Sequence, residues 1–424
     1  MYNEAKAYLP TAITSDNYPV HKWFNFVAGY SPEYVRMVIN DYAKKNSRMP
    51  QKIYDPFAGC ATTCVVANEY NIPSLGVERN PFFYKIGYTK ANADTAIKEV
   101  SVICADFKNA ITMPFVEGNI SKLSSSAQTF LLKLFDSTIL EKLLELRYIV
   151  ETYSGIRYYM GFTLLSKMME YVTTAKIDGI YRVPTSSKRA MDLFSALTRA
   201  ENTMLDGFNS IISTKSKSTI VFDSSITYEL IPESVDLVVF SPPYLNNFDF
   251  AEMTRMQLYF WGEASSWGDI SEKHRNHMLV NTTTALKNVR ADSQQMILRN
   301  SLPNDVLDQI DPIVEQLKLI RKNDHKKKNY DLLIYPYLSQ MRDVLIHCYN
   351  ALTSNGEVHI VLSDAAFYGI HISTEKYIQM LLNSIGFKSS RIELMRSRGD
   401  RWLLDKRKQT SKKLGEYEIV AQKG

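Results

Sequence analysis

What the chain lacks already excludes several classes of protein. No apolar run in its 424 residues approaches the roughly 20 residues that span a bilayer, and the N-terminal residues 1–10 carry two charges without the apolar stretch of a signal peptide. Only four cysteines are present, so we expect no disulfide framework and a reducing, cytoplasmic compartment. A composition of 45% hydrophobic and 22% charged residues excludes a disordered tail, a collagen-like repeat and a small disulfide scaffold.

The net charge of +5 is unevenly distributed along the chain. The run 317–328 holds six basic residues and one acid, and the run 396–413 holds eight basic residues and two acids. Together these runs carry +11, so the rest of the chain carries −6. Such segregation suits a polyanionic partner such as nucleic acid, although two solvated loops would have the same composition.

The order of strand and helix patterns predicts a parallel α/β sheet. A strand pattern at 52–59 is followed by a helical pattern at 60–70 and a second strand pattern at 74–80. A strand–helix–strand unit within about 30 residues indicates parallel strands joined by a right-handed crossover. Strand patterns resume at 218–223 and 235–240.

Two long stretches interrupt this pattern. Residues 94–218 carry helical patterns and are predicted to form a mostly helical insertion, and 262–329 form a second insertion with a basic end. The remaining segments, 1–93, 219–261 and 330–424, would form one α/β domain whose last strands are antiparallel.

The first strand pattern ends in DPFAGCATT at residues 55–63. Ligands bind at the carboxyl ends of strands in an open α/β sheet, and small residues there let backbone amides approach them. Neither G-x-G-x-x-G nor G-x-x-x-x-G-K-[ST] is present, so neither a dinucleotide fingerprint nor a P-loop is indicated. Glu78 ends the second strand about 20 residues on, where an acid accepts hydrogen bonds from ribose hydroxyls; the alternative is an ordinary surface glutamate.

The strand pattern at 235–240 is followed directly by Ser241-Pro242-Pro243-Tyr244. Two prolines after a buried strand force an extended, rigid turn and remove two backbone donors. The turn exposes carbonyl oxygens as acceptors, with a hydroxyl before them and an aromatic ring after them. This arrangement suits an exocyclic amino group on a flat base, and the alternative is a plain turn that closes a strand.

Together, D-P-F-x-G-x-x-T-T at 55–63 and S-P-P-Y at 241–244 resemble the S-adenosylmethionine-dependent DNA amino-methyltransferases of restriction–modification systems. The resemblance covers most of the catalytic core. Residues 21–33 are similar to the segment that precedes the first strand in that family, 241–262 resembles an extended subgroup pattern, and 396–402 resembles the C-terminal end. The cofactor motif precedes S-P-P-Y, which excludes the permuted arrangement with the catalytic motif first.

The resemblance implies a Rossmann-like class I methyltransferase fold of the α/β class, with a mixed, mostly parallel seven-stranded sheet and helical insertions. It implies S-adenosyl-L-methionine as cofactor and double-stranded DNA as partner, and it leaves open a companion restriction endonuclease; we expect neither a metal site nor a membrane. The insertions match no pattern that we recognise and lie where such enzymes carry target recognition. The insertion at 94–218 is therefore a candidate for target recognition, and 262–329 is a candidate for DNA contact.

The resemblance also implies residue roles. The catalytic turn would be Ser241, Pro242, Pro243 and Tyr244. The cofactor would be held before the first strand, in the loop after it and at the ends of the following strands, by Ser31, Pro32, Asp55, Pro56, Phe57, Gly59, Thr62, Glu78 and Asp223. Contacts to DNA would come from the basic runs, through Lys326, Lys327, Lys328, Arg398 and Arg401.

The reaction implied is methyl transfer to an exocyclic amine of a base flipped out of the duplex. Serine at the first position of the tetrapeptide goes mostly with cytosine N4 in this family, and asparagine or aspartate goes mostly with adenine N6. Cytosine N4 is therefore favoured, and adenine N6 is the alternative. Cytosine carbon-5 methylation is not expected, because the chain has no Pro-Cys pair and its cysteines are predicted to be small core or loop residues.

One departure from the family pattern lies in the loop after the first strand. The family usually has a second glycine where this chain has Ala61, and alanine would be strained there if the backbone φ is positive. This departure keeps open a non-catalytic DNA-binding module with a decayed cofactor loop. An RNA base methyltransferase and a protein glutamine methyltransferase also stay open, because they share the cofactor fold.

Overall fold

A computed structural model of the chain describes residues 12–24, 29–114, 116–178, 181–183, 188–207, 218–245, 248–324, 328–398 and 413–424. Three of the residues predicted to contact DNA, Lys326, Lys327 and Arg401, lie outside the described residues.

The strands of the described residues form one large sheet and two small hairpins. Their bounds are β1 (Ile53–Asp55), β2 (Ser74–Glu78), β3 (Lys176–Asp178), β4 (Tyr181–Val183), β5 (Ser218–Phe222), β6 (Val235–Phe240), β7 (Leu352–Ser363), β8 (Ala365–Phe367), β9 (Ile370–Ile372), β10 (Phe387–Ser397) and β11 (Gly415–Lys423).

The large sheet has seven strands in the order β10-β11-β7-β6-β1-β2-β5. Strands β7, β6, β1, β2 and β5 pair in parallel, whereas β11 runs antiparallel to both of its neighbours. The hairpins β3-β4 and β8-β9 stand apart from this sheet. The predicted fold class, a Rossmann-like class I methyltransferase fold with a mostly parallel seven-stranded sheet, is confirmed.

Helices connect the strands of the large sheet and make up most of the described residues of both insertions. Their bounds are α1 (Pro32–Asn46), α2 (Thr62–Glu69), α3 (Pro81–Ala91), α4 (Ala93–Ala96), α5 (Val100–Thr112), α6 (Ser125–Leu131), α7 (Ser137–Thr152), α8 (Gly155–Val172), α9 (Leu193–Leu205), α10 (Phe250–Met253), α11 (Arg255–Phe260), α12 (Trp267–Lys273), α13 (Asp292–Asn300), α14 (Asn304–Asn323), α15 (Ile334–Ala351) and α16 (Thr374–Ile385). No helix of the described residues is long and apolar enough to cross a membrane.

In the part of the chain that the structure describes, each insertion shares an apolar cluster with the α/β domain. In the first, Leu143 and Phe162 belong to an apolar cluster that also contains Phe82 of α3. In the second, Val306 belongs to a cluster with Val238 of β6. Because the insertions share buried side chains with the α/β domain, they are packed parts of one structure and not appended modules.

The carboxyl ends of β1 and β6 define the functional edge of the sheet. From β1 the chain continues to β2 and β5 on one side, and from β6 it continues to β7 on the other side. The gap between β1 and β6 is therefore the topological switch point, where open α/β sheets bind ligands. The predicted loops after β1 and β6 both begin here.

Candidate active site

The loop after β1 is anchored by Asp55, the last residue of that strand. Its carboxylate is buried and accepts hydrogen bonds from the Phe57 backbone N at 3.0 Å, the Tyr30 hydroxyl at 2.9 Å and Thr63 Oγ1 at 2.6 Å. Burial nevertheless raises the pKa of Asp55 to about 6, because desolvation outweighs these donors. Asp55 thus ties the segment before α1, the start of α2 and its own loop together.

Glu78 ends β2 and faces the same loop. Its Oε2 accepts from the Gly59 backbone N at 2.9 Å, and its Oε1 accepts from the Asn80 backbone N at 2.6 Å. Burial raises the pKa of Glu78 to about 7. The Arg79 backbone N–H also favours the charged form of Glu78. A carboxylate has about four acceptor positions, so acceptor capacity remains for a ligand hydroxyl.

The turn between β1 and α2 holds two residues in the left-handed region, Gly59 at φ 52° and Ala61 at φ 66°. The conformation costs an alanine roughly 1–2 kcal/mol. The Ala61 methyl is fully buried beside Ala58 and Cys64, which stabilises the fold by about 0.8 kcal/mol. The backbone strain anticipated at the missing glycine is therefore present, and packing offsets roughly half of it.

The S-P-P-Y segment leaves β6 at the switch point, and its two ends face different ways. Ser241, Pro242 and Pro243 line a pocket. The Tyr244 side chain instead points toward β11, where its hydroxyl donates to Glu416 Oε1 at 2.8 Å. The Arg398 guanidinium lies 5.7 Å from the centre of the Tyr244 ring.

One pocket brings the two predicted motifs together. Six residues predicted for cofactor binding or catalysis line it: Phe57, Gly59, Glu78, Ser241, Pro242 and Pro243. Asp55 and Tyr244 were expected to line it too, but they do not, because Asp55 lies beneath the loop and the Tyr244 hydroxyl is held by Glu416.

The other predicted cofactor residues that the structure describes are not among those that line this pocket. Ser31 caps α1, its Oγ accepting from the Tyr34 backbone N at 3.1 Å, and Pro32 is the first residue of that helix. The Pro56 carbonyl accepts from the Ser225 hydroxyl. Thr62 begins α2.

Asp223 follows β5 and is exposed, accepting from the Ser224 backbone N at 2.7 Å. Its neighbours Ser224 and Ser225 line the pocket in its place. The resemblance predicted that Asp223 would contact the cofactor. In the structure Ser224 and Ser225 line the pocket, whereas Asp223 does not.

The two described residues predicted to contact DNA differ in environment. Lys328 is exposed. Arg398 is half-buried and donates through Nη1 to Ser363 Oγ at 2.9 Å, and its burial lowers the pKa of the guanidinium.

Sequence analysis missed a buried ion pair on the far wall of the pocket. Asp249 accepts from Arg275 Nε at 2.9 Å and from Thr284 Oγ1 at 2.6 Å, and both members of the pair line the pocket. Asp249 also caps α10 by accepting from the Glu252 backbone N at 3.1 Å. The D-x-x-E spacing is a helix-start signal that would have predicted this cap, but no local pattern predicts the pairing with Arg275.

Asn281 is a second missed residue. Its Nδ2 donates to the Tyr244 carbonyl at 3.3 Å and to the Phe248 carbonyl at 2.8 Å. It also lines the pocket. The second insertion therefore supports the segment that follows S-P-P-Y, so it does more than carry a basic run.

Comparison with known proteins identifies relatives of this chain. It is 22% identical over 419 residues to the type II methyltransferase M.AvaI of Nostoc sp. and of Anabaena variabilis, an alignment that covers 88% of this chain and 80% of each relative. It is 20% identical over 447 residues to the type II methyltransferase M.BsoBI of Geobacillus stearothermophilus, covering 96% of this chain and 84% of that protein.

The chain is therefore similar to type II methyltransferases over most of its length. The resemblance to the amino-methyltransferases of restriction–modification systems, first inferred from two short motifs, is thereby confirmed along most of the chain. No family model matches the sequence.

Solved structures give weaker likenesses. A chain described as a DNA modification methylase from Thermus thermophilus aligns at 20% identity and a TM-score of 0.16, covering 20% of this chain and 36% of that one. The rRNA methyltransferase aviRa from Streptomyces viridochromogenes aligns at 8% identity and a TM-score of 0.30, covering 97% and 92%.

Proposed function

We propose that this chain is a site-specific DNA methyltransferase that moves a methyl group from S-adenosyl-L-methionine to an exocyclic amine of a flipped base. The observation that carries the proposal is the single pocket shared by Phe57, Gly59 and Glu78 with the Ser241–Pro243 turn. A methyl donor and an amine acceptor must meet within bonding reach, and this pocket joins the two motifs suited to holding them.

The residues present fit the cofactor. Glu78 keeps acceptor capacity for a ribose hydroxyl, and Phe57 offers an apolar surface in the same pocket. When bound, the cofactor supplies an electrophilic methyl group on a sulfonium. Asp55 and the cap at Ser31 would hold the loops around it.

The turn after β6 would handle the amine. An exocyclic amine is a poor nucleophile because its lone pair is delocalised into the ring. Hydrogen bonds from the amine to the Ser241 hydroxyl oxygen and the Pro242 carbonyl would draw the nitrogen toward sp³ geometry and aim its lone pair at the methyl group. The rate would then come mainly from positioning and electrostatics.

Cytosine N4 is the favoured target, with adenine N6 as the alternative, because the tetrapeptide begins with Ser241. Carbon-5 methylation requires a cysteine thiolate. Cys60 and Cys64 are the cysteines nearest the cofactor loop in sequence, and burial raises the pKa of each thiol to about 12. A protonated, buried thiol is a poor nucleophile, which supports the amine as acceptor.

DNA would approach from the side of the insertions. We infer that 94–218 takes part in target recognition and that 262–329 contacts DNA, since Arg275, His277 and Asn281 of the second insertion already reach the pocket wall. The basic run ending at Lys328 would add phosphate contacts. A companion endonuclease would be a separate protein.

Transfer of tritium from labelled cofactor tests this function. The substrate would be DNA from a methylation-deficient host, and the hydrolysed nucleosides would be separated by chromatography. We expect label in N4-methylcytosine. Label in N6-methyladenine would select the alternative base, and label at cytosine carbon 5 would overturn the mechanism.

Tyr244→Ala provides the matched variant for this assay. The variant removes the hydroxyl that contacts Ser241 and Glu416 and leaves the turn after β6 without this support. The amine should then be misplaced, so transfer should fall far more than cofactor affinity. Full activity in Tyr244→Ala would contradict the proposed role of the turn. Cofactor binding without transfer to DNA, RNA or protein by the unaltered chain would instead favour the decayed-module alternative.

A further inference from the structure

A chain of three hydrogen-bonding side chains leads from the pocket to β11 of the large sheet. Ser241, in the pocket wall, donates from Oγ to the Tyr244 hydroxyl oxygen at 3.3 Å. The Tyr244 hydroxyl donates in turn to Glu416 Oε1 at 2.8 Å. Glu416 is only 4% exposed, so the chain ends on a buried carboxylate that neither sequence motif contains.

The antiparallel direction of β11 explains why Glu416 is there. The parallel strands end at the functional edge, and a reversed strand begins at that edge, so the second residue of β11 lies beside the turn after β6. Glu416 pairs across the sheet with Arg396 of β10 and Ser363 of β7. The Arg396 Nε donates to Glu416 Oε2, which leaves Oε1 for Tyr244.

The carboxylate sets the direction of the whole chain of hydrogen bonds. A carboxylate accepts and does not donate, so the Tyr244 hydroxyl must give its proton to Glu416 and its oxygen must accept from Ser241. Burial and the Glu416 carboxylate raise the pKa of Tyr244 well above its usual value, which keeps the phenol protonated. The Ser241 hydroxyl proton is therefore engaged in the hydrogen bond to Tyr244. The lone pairs of the Ser241 oxygen remain available to accept a hydrogen bond from a donor in the pocket.

We propose that Glu416 is a positioning residue of the catalytic turn, which acts through Tyr244 to keep the Ser241 oxygen an acceptor toward the target amine. This inference rests on the proposed function. In the transfer step the C–N bond forms and the C–S bond breaks, with its electron pair going to sulfur. The surplus amine proton passes to Ser241 as the Ser241 proton moves to Tyr244 and the Tyr244 proton moves to Glu416, which later releases it to water.

Glu416→Gln should reverse the donor–acceptor direction of the Ser241–Tyr244–Glu416 hydrogen bonds with little change in side-chain shape. Arg396 has no acceptor atom, so it retains the glutamine oxygen, and the amide NH2 then faces the Tyr244 oxygen as a donor. We expect the single-turnover rate of tritium transfer to host-derived unmethylated DNA to fall by about 10²-fold, the scale of a lost acid–base contact. The dissociation constants for cofactor and for DNA without cofactor should stay unchanged.

Tyr244→Phe cuts the same chain while keeping the ring. It should slow transfer as much as Glu416→Gln does, and the double variant should be no slower than either single variant, because the residues act as one unit. The matched controls are Tyr34→Phe and Glu418→Gln. They disrupt a second buried tyrosine–carboxylate hydrogen bond on β11, which has the same 2.8 Å length and does not involve the turn, so transfer should be unaltered.

The outcomes separate the inference from the proposed function. Wild-type rates in Glu416→Gln, or losses that add in the double variant, would overturn the assignment of Glu416 while leaving the methyltransferase function intact. Equal losses in the Glu418→Gln control would also overturn it, because a general destabilisation of β11 would then explain the effect. A wild-type chain that transfers no label to DNA would overturn the proposed function itself. Thermal unfolding of each variant confirms that it is folded, and Tyr244→Phe decides the matter if Glu416→Gln does not fold.

Discussion

Cofactor binding should depend on pH through a single carboxyl group. Burial raises the pKa of Glu78 from 4.5 to about 7, although its two oxygens accept from the Gly59 and Asn80 backbone N–H groups. Ribose hydroxyls that donate to the remaining acceptor positions favour the charged form of the carboxyl. Binding should therefore lower the pKa of Glu78 and release a proton near neutral pH.

The magnitude follows from the ionised fraction. With a pKa of about 7, Glu78 is about nine-tenths ionised at pH 8 and about one-tenth ionised at pH 6, so affinity should fall roughly tenfold between them. About half a proton should be released at pH 7. The stability of the free chain should depend on pH in the opposite direction from the affinity. Between pH 4.5 and about 7 Glu78 binds more protons in the native state than in the unfolded state. Its contribution to the free energy of unfolding therefore falls as pH rises through that window.

Calorimetric titration with S-adenosylhomocysteine, which has the same ribose, measures both quantities at pH 6, 7 and 8. Two buffers of different ionisation enthalpy report the proton release. Glu78→Gln is the control: it should bind more weakly by roughly 1–3 kcal/mol and show no change over this pH range. Equal wild-type affinities at pH 6 and pH 8, or the same pH dependence in Glu78→Gln, would refute the reasoning.

Three further predictions test other parts of the structure. Ala61→Gly should stabilise the fold by less than about 1 kcal/mol, because relief of roughly 1–2 kcal/mol of strain is offset by a lost methyl contact of about 0.8 kcal/mol; urea unfolding measures this, and a large loss of stability would contradict it. Asp249→Ala should destabilise the fold by about 1–3 kcal/mol, since it removes the hydrogen-bonded partner of the buried Arg275 and leaves Glu252, 3.9 Å away, as its nearby carboxylate, whereas the exposed-pair control Lys318→Ala should cost less than about 1 kcal/mol. Alanine at positions 326–328 should weaken binding to all DNA sequences alike and lower the slope of log affinity against log salt by up to about three; an unchanged slope would exclude that run from the interface.

Local sequence was enough to predict the pocket-lining core of the site. Strand patterns place Glu78 and Ser241 at the ends of two parallel strands, and the carboxyl ends of parallel strands share one edge of a sheet. The Gly59 loop begins at the same edge for the same reason. The convergence of these residues thus follows from strand polarity, which hydrophobic pattern and connection length determine.

Only the tertiary structure determined the partners of these residues. Tyr244 and Glu416 are 172 positions apart, and Asp249 and Arg275 are 26 positions apart, so no local spacing connects either pair. Glu416 reaches the turn because β11 is inserted antiparallel between β7 and β10, and strand order depends on which apolar faces pack together. The sequence by itself therefore determined which elements carry the site, while packing across the sheet decided where Tyr244 points and what supports it.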